Sequence, residues 1–510
     1  MVRSIHCSAI MLMVLHVFIS TTAPAASAIQ YRVEAEDGAT LALSEPQLPD
    51  ISGYNEAAVN EYVKRARQAA PRAAVVQVRR IFGEVTMDDF TIGQRAREWA
   101  ARQYSNPQAI FLKSGFFTMT QLWQQLDRHE YLERLADGTY IARLPVVVEA
   151  GATLLMDADE SLYLSQQRGS FLVVSGTLIT RSAKVVGWDE KQNTPARYQS
   201  ASQFRPFLVS WGGSEIYLLN SEFVSLGYEQ SKSYGITVSQ YRHELNQTLK
   251  QPSPKAWIIG STFEDIYYGF YCYETDGAVI LNNRYVDNVV YGIDPHDRSR
   301  GLIIGYNEVY GTHKKHGIIV SREVNDSWIF NNNSHHNKLS GFVLDRSSVG
   351  NVVANNVAHH NLSDGITLYE SSDNLLWANR VYANDKHGIR MRNSKNIKLY
   401  YNNIAGNQGF GVYGDIQDLS DTDRDSHMDP YEARVSMILY GGALVANERG
   451  PFSMEHPEFM KIFNVDIRFG SEPLNPDNDG IFARFHSEIL DILLRQKQAV
   501  SVTPIPQENS

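Results

Sequence analysis

The stretches Gly317-Ile-Ile-Val, Gly341-Phe-Val-Leu and Gly365-Ile-Thr-Leu decide the fold of this chain. Each is a glycine followed by β-favouring residues, and the two steps between the three glycines are equal in length. Self-similarity at a fixed short period indicates stacked supersecondary units. The same glycine–apolar pair recurs on both sides, at nearly the same step, in Gly269-Phe270, Gly292-Ile293, Gly388-Ile389 and Gly411-Val412.

The repeated units are built from strands. A second short β piece follows each first one, as in Asn-Val-Val at Asn351 and Asn-Leu-Leu-Trp at Asn374. Runs this short, bounded by Asn, Asp, Ser and Gly, leave no room for an amphipathic helix. A leucine-rich repeat needs fixed leucines that are missing here, and a β-sandwich with evenly spaced turns fits less well. We predict an all-β fold, a single-stranded, right-handed parallel β-helix with coils of ~23–25 residues.

Asparagine keeps the same period as glycine. Asparagine suits the corners between strands, because its side chain can stack along the axis and its backbone tolerates the left-handed conformation. We therefore expect an asparagine ladder at Asn283, Asn307, Asn333, Asn356, Asn379 and Asn403.

Residues 1–28 have the pattern of a secretory signal peptide. Arg3 precedes an apolar run from Ala9 to Ile19, and Ala26-Ser27-Ala28 has the small-x-small cleavage pattern. The run is too short for a membrane span, and the chain offers no other candidate. We predict export to the periplasm. Cys7 is removed with the signal, which leaves Cys272 alone and allows no intrachain disulfide.

The rest of the chain divides into three parts. We expect a mixed α/β capping region over residues 29–144, the β-helix over 145–415, and a C-terminal extension and cap over 416–510. Short helices are predicted at Ala57–Ala70, Thr91–Gln103, Thr118–Leu126 and Phe482–Gln498. The unusually long step from Gly235 to Gly269 predicts a loop insertion around Tyr241–Lys255. The formal net charge of −10 argues against a nucleic acid partner.

The stretch Tyr291-Gly-Ile-Asp294-Pro-His296-Asp297 stands out among the repeats. An aspartate beside a histidine can fix its tautomer and raise its basicity. Pro295 interrupts regular strand pairing, and such a break often marks a site. Arg322 follows His296 by the length of one coil plus about one residue. The two side chains should therefore be neighbours on adjacent coils and face one groove.

A histidine and an arginine placed together suit chemistry on a uronic acid. The hydrogen on C5 is α to a carboxylate, and a guanidinium can offset the charge that its removal creates. A neutral histidine then serves as the general base. Return of a proton from the opposite face inverts C5, whereas elimination at C4 cleaves the polymer. Epimerase and lyase share the first step, so this chemistry alone leaves both open.

The heptapeptide resembles the Tyr-Gly-x-Asp-Pro-His-acid motif of the mannuronan C5-epimerases, the alginate-modifying enzymes. The resemblance covers most of residues 29–500 and implies conversion of β-D-mannuronate to α-L-guluronate within the polymer. Carried over by position, it makes His296 the base and Arg322 the group that neutralises the carboxylate. Asp294 would orient the site, and Tyr291 or water would return the proton. Asp297 stands where some relatives have glutamate.

The resemblance also implies an anionic polysaccharide substrate and a place beside other periplasmic proteins of alginate export. Further along the predicted groove, Asp297, Arg346, Arg390 and Arg392 are candidate substrate-binding residues. The three arginines could contact successive carboxylates of a polyanion, or form a solvated face. A polysaccharide lyase on the same fold and a non-catalytic polysaccharide-binding scaffold are the alternative functions.

We predict no cofactor and no metal in the chemistry, but two stretches raise the question of a metal. Asp421, Asp423, Asp425, Asp429 and Glu432 have the spacing of an EF-hand calcium loop, although Ser426 stands where glycine is expected. A solvated acidic loop is the simpler interpretation. The pairs His335-His336 and His359-His360 fall at coil corners with no acidic ligand set fixed around them.

Overall fold

The computed structural model describes residues 29–71, 73–81, 103, 107–158, 160–470 and 480–506. Most of the chain winds as a right-handed parallel β-helix, as the repeat period predicts. Coils contribute strands to three faces, and equivalent strands of successive coils pair in parallel. The predicted signal peptide lies outside the described residues, as does all of the predicted helix Thr91–Gln103 except Gln103. No described helix is long and apolar enough to cross a membrane.

The three faces are defined by their strands. The first face comprises Gln108–Thr118, Val146–Val148, Leu172–Val174, Leu208–Trp211, Gly235–Ser239, Tyr268–Tyr273, Tyr291–His296, Ile318–Ser321, Phe342–Asp345, Ile366–Tyr369, Ile389–Arg392, Phe410–Asp415 and Gly450–Met454. The second face shares Gln108–Thr118 and continues with Ala152–Met156, Thr177–Arg181, Glu215–Leu219, Lys255–Ile259, Val279–Leu281, Ile303–Gly305, Trp328–Phe330, Val352–Ala354, Leu375–Trp377, Ile397–Tyr400, Ser436–Tyr440 and Phe459–Phe463. The third face comprises Leu132–Arg134, Tyr140–Ala142, Ser161–Ser165, Lys184–Asp189, Glu222–Val224, Thr262–Glu264, Arg284–Val286, Glu308–Tyr310, Asn333–His335, Val357–His359, Arg380–Tyr382, Asn403–Ala405, Ala443–Val445 and Asp466–Arg468, with Thr194–Pro195 paired at its side.

The glycine period reflects close packing between coils. The residue after each glycine points into the core, and the strand register places Ile293, Ile318, Phe342, Ile366, Ile389 and Val412 in one buried row. A Cβ on Gly292 would lie 2.2 Å from Cγ1 of Val309 and 2.8 Å from the carbonyl oxygen of Gly317. Only glycine fits so close an approach.

A buried asparagine ladder exists, but two of its predicted members are wrong. It runs through Asn283, Asn307, Asn332, Asn356, Asn379 and Asn402, each Nδ2 donating to the next Oδ1 at 2.9–3.1 Å. Asn333 and Asn403 instead begin strands of the third face and lie half-buried and exposed, respectively. Both stand directly after another asparagine, so the period could not separate inward from outward side chains. A second ladder that we did not predict joins Asn337, Asn361, Asn384, Asn407 and Asn447.

The N-terminal segment runs along the β-helix and contacts both of its ends. Its strand Tyr31–Glu36 pairs antiparallel with Ala499–Pro504, which in turn pairs antiparallel with Phe459–Phe463 of the last coil on the second face. At the other end, Val75–Arg80 pairs antiparallel with Gln108–Thr118. The C-terminal strand Ala499–Pro504 therefore covers the edge of the last coil, and the N-terminal strand Tyr31–Glu36 pairs with its other side.

Four α-helices lie outside the coils among the described residues. They are α1 (Glu56–Ala69), α2 (Met119–Gln124), α3 (His243–Leu249) and α4 (Ile481–Leu490). A 3₁₀ turn spans Gly38–Leu41, and a π-helical turn, Asp491–Gln496, follows α4. Helices α1, α2 and α4 confirm three sequence predictions, with α4 shorter than expected because the chain changes to π geometry. Helix α3 occupies the predicted insertion.

Parallel pairing extends beyond both expected limits, residues 145 and 415. Gln108–Thr118 already pairs in parallel with Val146–Val148 and Ala152–Met156. At the other end, Val412 is in register with Phe452, although the chain between them is much longer than one regular coil. The intervening loop, residues 416–435, interrupts the period, so the coils beyond it could not be recognised from spacing.

Candidate active site

The central stretch forms the strand Tyr291–His296 on the first face. It pairs with Tyr268–Tyr273 before it, where Tyr271 lies opposite Asp294 and Tyr273 opposite His296. On the other side, the register is kept only at Ile293, opposite Ile318, and at His296, opposite Ser321. Because proline has no N–H to donate, Pro295 leaves the ladder interrupted beside Asp294. The regular pairing of this strand with the next coil is therefore interrupted at Asp294 and Pro295, next to His296.

A row of charged residues occupies the corner at the end of the first face. Asp297, Arg322, Arg346 and Glu370 follow their strands at equivalent positions, all with positive φ between 40° and 62°. The backbone N–H of Asp297 donates to the carbonyl of Ser321 at 3.0 Å, and that of Arg322 donates to the carbonyl of Asp345 at 3.1 Å. The corner residues of successive coils are therefore aligned along the axis of the β-helix. His296 precedes this corner by one residue, which brings it beside Arg322.

Asp297 contacts both His296 and Arg322. Its Oδ2 is hydrogen-bonded to Nδ1 of His296, and its Oδ1 lies 3.8 Å from Nη1 of Arg322. Burial alone would lower the pKa of His296, but the hydrogen bond with Asp297 and the charges of Asp294 and Asp297 raise it above the ordinary 6.5. Burial opposes ionisation of Asp297, yet the partnership with His296 keeps its pKa low. Nε2 of His296 is the ring nitrogen left for a substrate.

Asp294 is buried among tyrosines. Its side chain is almost inaccessible, and among the described residues its Oδ1 has no hydrogen-bond partner. Burial raises the pKa of this carboxyl to about 7. Tyr268 and Tyr271 belong to the neighbouring strand, and burial together with the charge of Asp294 raises their pKa values, so both stay protonated. The site thus places a carboxyl poised between its two protonation states within a set of neutral phenols.

Tyr291 lies at the start of the same strand and is half-buried. Its ring stacks on His316 with centroids 6.1 Å apart, and Nζ of Lys315 lies 5.5 Å from its ring centroid. Burial and the charge of Asp294 raise the pKa of Tyr291 far above the ordinary 10. Tyr291 is therefore an O–H donor at any pH near neutrality.

The remaining predicted arginines lie further along the first face and are paired. Arg346 follows Arg322 by one coil, and its Nε lies 3.5 Å from Oδ2 of Asp345. Arg390 donates two hydrogen bonds to Asp415, at 3.0 and 2.9 Å. Arg392 donates from Nε to Glu370 at 2.8 Å. By register, Arg392 is four coils from His296, about 19 Å at a strand spacing of about 4.8 Å.

Asp429 completes the cluster and was not predicted as a site residue. Its Oδ2 accepts a hydrogen bond from Nη2 of Arg322 at 2.8 Å and lies 3.4 Å from Nη1 of Arg346. It belongs to the loop of residues 416–435, which we call the acidic loop. The calcium-like spacing drew attention to this loop, but spacing alone gave no sign that Asp429 turns inward to the arginines.

Comparison with known proteins identifies the family. A family model described as periplasmic copper-binding protein NosD matches residues 213–413. The mannuronan C5-epimerase of Pseudomonas putida is 47% identical over 480 residues, which are 94% of this chain and 91% of that protein. The mannuronan C5-epimerase of Pseudomonas aeruginosa is 50% identical over 480 residues, 94% of this chain and 87% of that protein. This chain belongs to the mannuronan C5-epimerases.

A solved structure agrees with this family assignment. The crystal structure of the periplasmic alginate epimerase AlgG superposes with a TM-score of 0.81 at 47% identity. The match covers 84% of this chain and 100% of the other. The β-helix is therefore a fold shared with a periplasmic alginate epimerase of known structure.

The acidic loop and the paired histidines are the two places where this epimerase sequence raised the question of a metal. Among the described residues, no three His, Cys, Asp or Glu side chains converge in a way that could hold a metal ion. In the acidic loop, Asp429 pairs with Arg322, and Glu432 pairs with Nζ of Lys395 at 2.8 Å. The four histidines stack on the third face, where His335 and His359 have centroids 4.8 Å apart.

Proposed function

We propose that His296 is the base with which this mannuronan C5-epimerase converts β-D-mannuronate to α-L-guluronate in alginate. The reaction takes place in the periplasm, on polymannuronate, during alginate biosynthesis. The observation that carries the proposal is the contact of Asp297 with His296 on one side and Arg322 on the other. This contact places a base and a cation side by side at one corner of the β-helix. Proton abstraction next to a carboxylate requires both groups.

In the proposed mechanism, Nε2 of His296 removes the C5 proton. The hydrogen bond between Nδ1 and Asp297 fixes which nitrogen faces the sugar and stabilises the imidazolium that forms. Because the pKa of His296 is raised, its imidazole is a stronger base than that of an unperturbed histidine. For the same reason, a higher pH is needed to deprotonate it.

Arg322 would bind the carboxylate of the same sugar. Removal of the C5 proton spreads a second negative charge onto that carboxylate, and a guanidinium within contact stabilises it more than it stabilises the substrate. Nη1 and Nη2 of Arg322, which lie 3.8 Å from Oδ1 of Asp297 and 2.8 Å from Oδ2 of Asp429, are the donors that a substrate carboxylate would meet.

The proton would return from the opposite face of the sugar. Tyr291 is one candidate donor, because its raised pKa keeps it protonated, and water is the other. Asp294 would orient the site: it faces the tyrosines of the preceding strand and stands two residues before the base. Its pKa of about 7 lets it accept or donate a hydrogen bond near neutrality.

Asp297, Arg346, Arg390 and Arg392 are the residues that we propose to bind the polymer around the reacting sugar. All lie on or next to the first face, and the three arginines are spaced along the β-helix axis. Each arginine is at present partnered by a carboxylate of the protein, so binding would exchange one carboxylate for another. Other periplasmic proteins of alginate export are proposed as partners, on the ground of shared compartment and substrate.

The test is the proton NMR spectrum of polymannuronate after incubation with the exported form of the chain, residues 29–510, in excess chelator. Guluronate signals are expected with the wild type and not with His296→Ala. New unsaturated ends would make the protein a lyase. No change with either protein would favour a binding scaffold. Guluronate signals that appear only when calcium is added in excess of the chelator would contradict the proposed metal-free chemistry.

A further inference from the structure

The acidic loop inserts one carboxylate between the two arginines nearest His296. Asp429 is only 3% exposed, and its Oδ2 contacts Arg322 at 2.8 Å and Arg346 at 3.4 Å. These two guanidinium groups belong to successive coils at the same corner. A uronate carboxylate that approached Arg322 from the groove would find the carboxylate of Asp429 already bound to this guanidinium.

The placement of Asp429 is built into the loop. Its backbone N–H donates to the carbonyl of Asp425 at 2.8 Å, and its own carbonyl accepts a hydrogen bond from Nε of Arg424 at 2.7 Å. Nη1 of Arg424 in turn pairs with Oε2 of Glu370 at 2.5 Å. Glu370 is the corner residue on the coil after Arg346. The loop is therefore clamped to the same row of residues that it occupies.

The local charge makes this position important. In the described structure, the carboxylates of Asp297, Asp345 and Asp429 contact the guanidinium groups of Arg322 and Arg346. Among these contacting groups, three carboxylates face two guanidinium groups, so the two arginines have no uncompensated charge to offer an incoming polyanion. Removal of Asp429 from this set leaves two cations facing two carboxylates, and a substrate carboxylate can then take the vacated position.

We propose that Asp429 is a specificity-determining residue, a carboxylate of the protein that occupies the substrate carboxylate position and must be displaced when polymer binds. This inference rests on the proposed role of Arg322 in binding the substrate carboxylate. A long polymer contacts many positions along the groove and offsets the cost of displacing Asp429. A short oligomer contacts few, so Asp429 selects for polymer over oligomers of mannuronate.

The test compares Asp429→Asn with the matched control Asp423→Asn, an exposed residue of the same loop. Asparagine keeps the size of the side chain and can still accept a hydrogen bond, so the loop should keep its conformation. The full exported chain is titrated with tetrameric mannuronate and with long polymannuronate by calorimetry, and kcat and KM are measured in parallel. We expect Asp429→Asn to tighten tetramer binding at least about fivefold and polymer binding less, with the control binding both like the wild type.

Two results would overturn the inference. Unchanged tetramer binding in Asp429→Asn would show that Asp429 does not compete. A loss of kcat with unchanged binding would make Asp429 a positioning residue for Arg322 instead. The variant Arg322→Gln separates this outcome from the proposed function: if it binds tetramer as tightly as the wild type, the carboxylate role of Arg322 fails, whatever Asp429 does. In the double variant Arg322→Gln/Asp429→Asn, the effect of Asp429→Asn should shrink, because its partner is gone.

Discussion

His296 and Arg322 lie on adjacent coils one residue out of register, and this offset lets the carboxylate of Asp297 contact both. The offset comes from the corner that ends each strand of the first face. His296 is the last residue of its strand, whereas Arg322 follows the end of the next one and has a left-handed backbone. The base and the cation are thereby set side by side by the β-helix itself.

Replacing Arg322 should lower turnover more than it weakens binding. A guanidinium that stabilises charge developing at the substrate acts mainly in the transition state, so Arg322→Gln should reduce kcat by roughly 10²–10³-fold. Steady-state kinetics on polymannuronate measure this. The control is Arg284→Gln, an exposed arginine of the third face, which should retain full activity. Equal losses in the two variants would mean that general surface charge is responsible.

The pH profile should report the partnership of His296 with Asp297. A base acts when deprotonated, so kcat/KM of the wild type should rise with pH through a midpoint above 6.5, the ordinary histidine value. In Asp297→Asn, the imidazolium loses its hydrogen-bonded carboxylate, and the midpoint should move to lower pH. The maximal rate should also fall, by at least about tenfold. An unchanged midpoint would show that Asp297 does not act through His296.

Stability should depend on pH through Asp294. Its pKa is raised on folding from 3.8 to about 7, so its contribution is fully present below pH 3.8 and is lost as the pH rises through 7. The difference amounts to roughly 4 kcal/mol at most. We expect Asp294→Asn to gain thermal stability relative to the wild type between pH 5 and pH 8. If the melting temperatures of the two proteins changed with pH in the same way, the result would contradict a buried carboxyl that lacks a partner.

The corrected asparagine ladder predicts unequal effects at neighbouring positions. Asn332→Ala removes donors to Asn356 and Ile304 and leaves buried groups unpaired, which should cost about 1–3 kcal/mol. Asn333→Ala is the matched control, since among the described residues the Oδ1 of Asn333 has no partner. Thermal melts should therefore show a clear loss for the first and little change for the second. A larger loss for Asn333→Ala than for Asn332→Ala would instead support the ladder predicted from the sequence period, which contains Asn333.

Features that follow the repeat period could be predicted from the sequence, whereas contacts made by segments outside the period could not. The period of Gly292, Gly317 and Gly341 predicts the β-helix and brings His296 beside Arg322, because register in a coil follows from counting residues. The pairing of Tyr31–Glu36 with Ala499–Pro504 joins the two ends of the chain, and no local pattern announces it. Asp429 is likewise beyond prediction, since a loop outside the period can turn any of its carboxylates inward.

Removal of the C5 proton by His296 can be followed directly by isotope release. Polymannuronate labelled with tritium at C5 is incubated with the wild type and with His296→Gln, and tritium in water is compared with guluronate formed. We expect the wild type to release tritium in step with guluronate, and His296→Gln to release it at least about 100-fold more slowly while still binding polymer. Release by His296→Gln at the wild-type rate would show that another group removes the C5 proton.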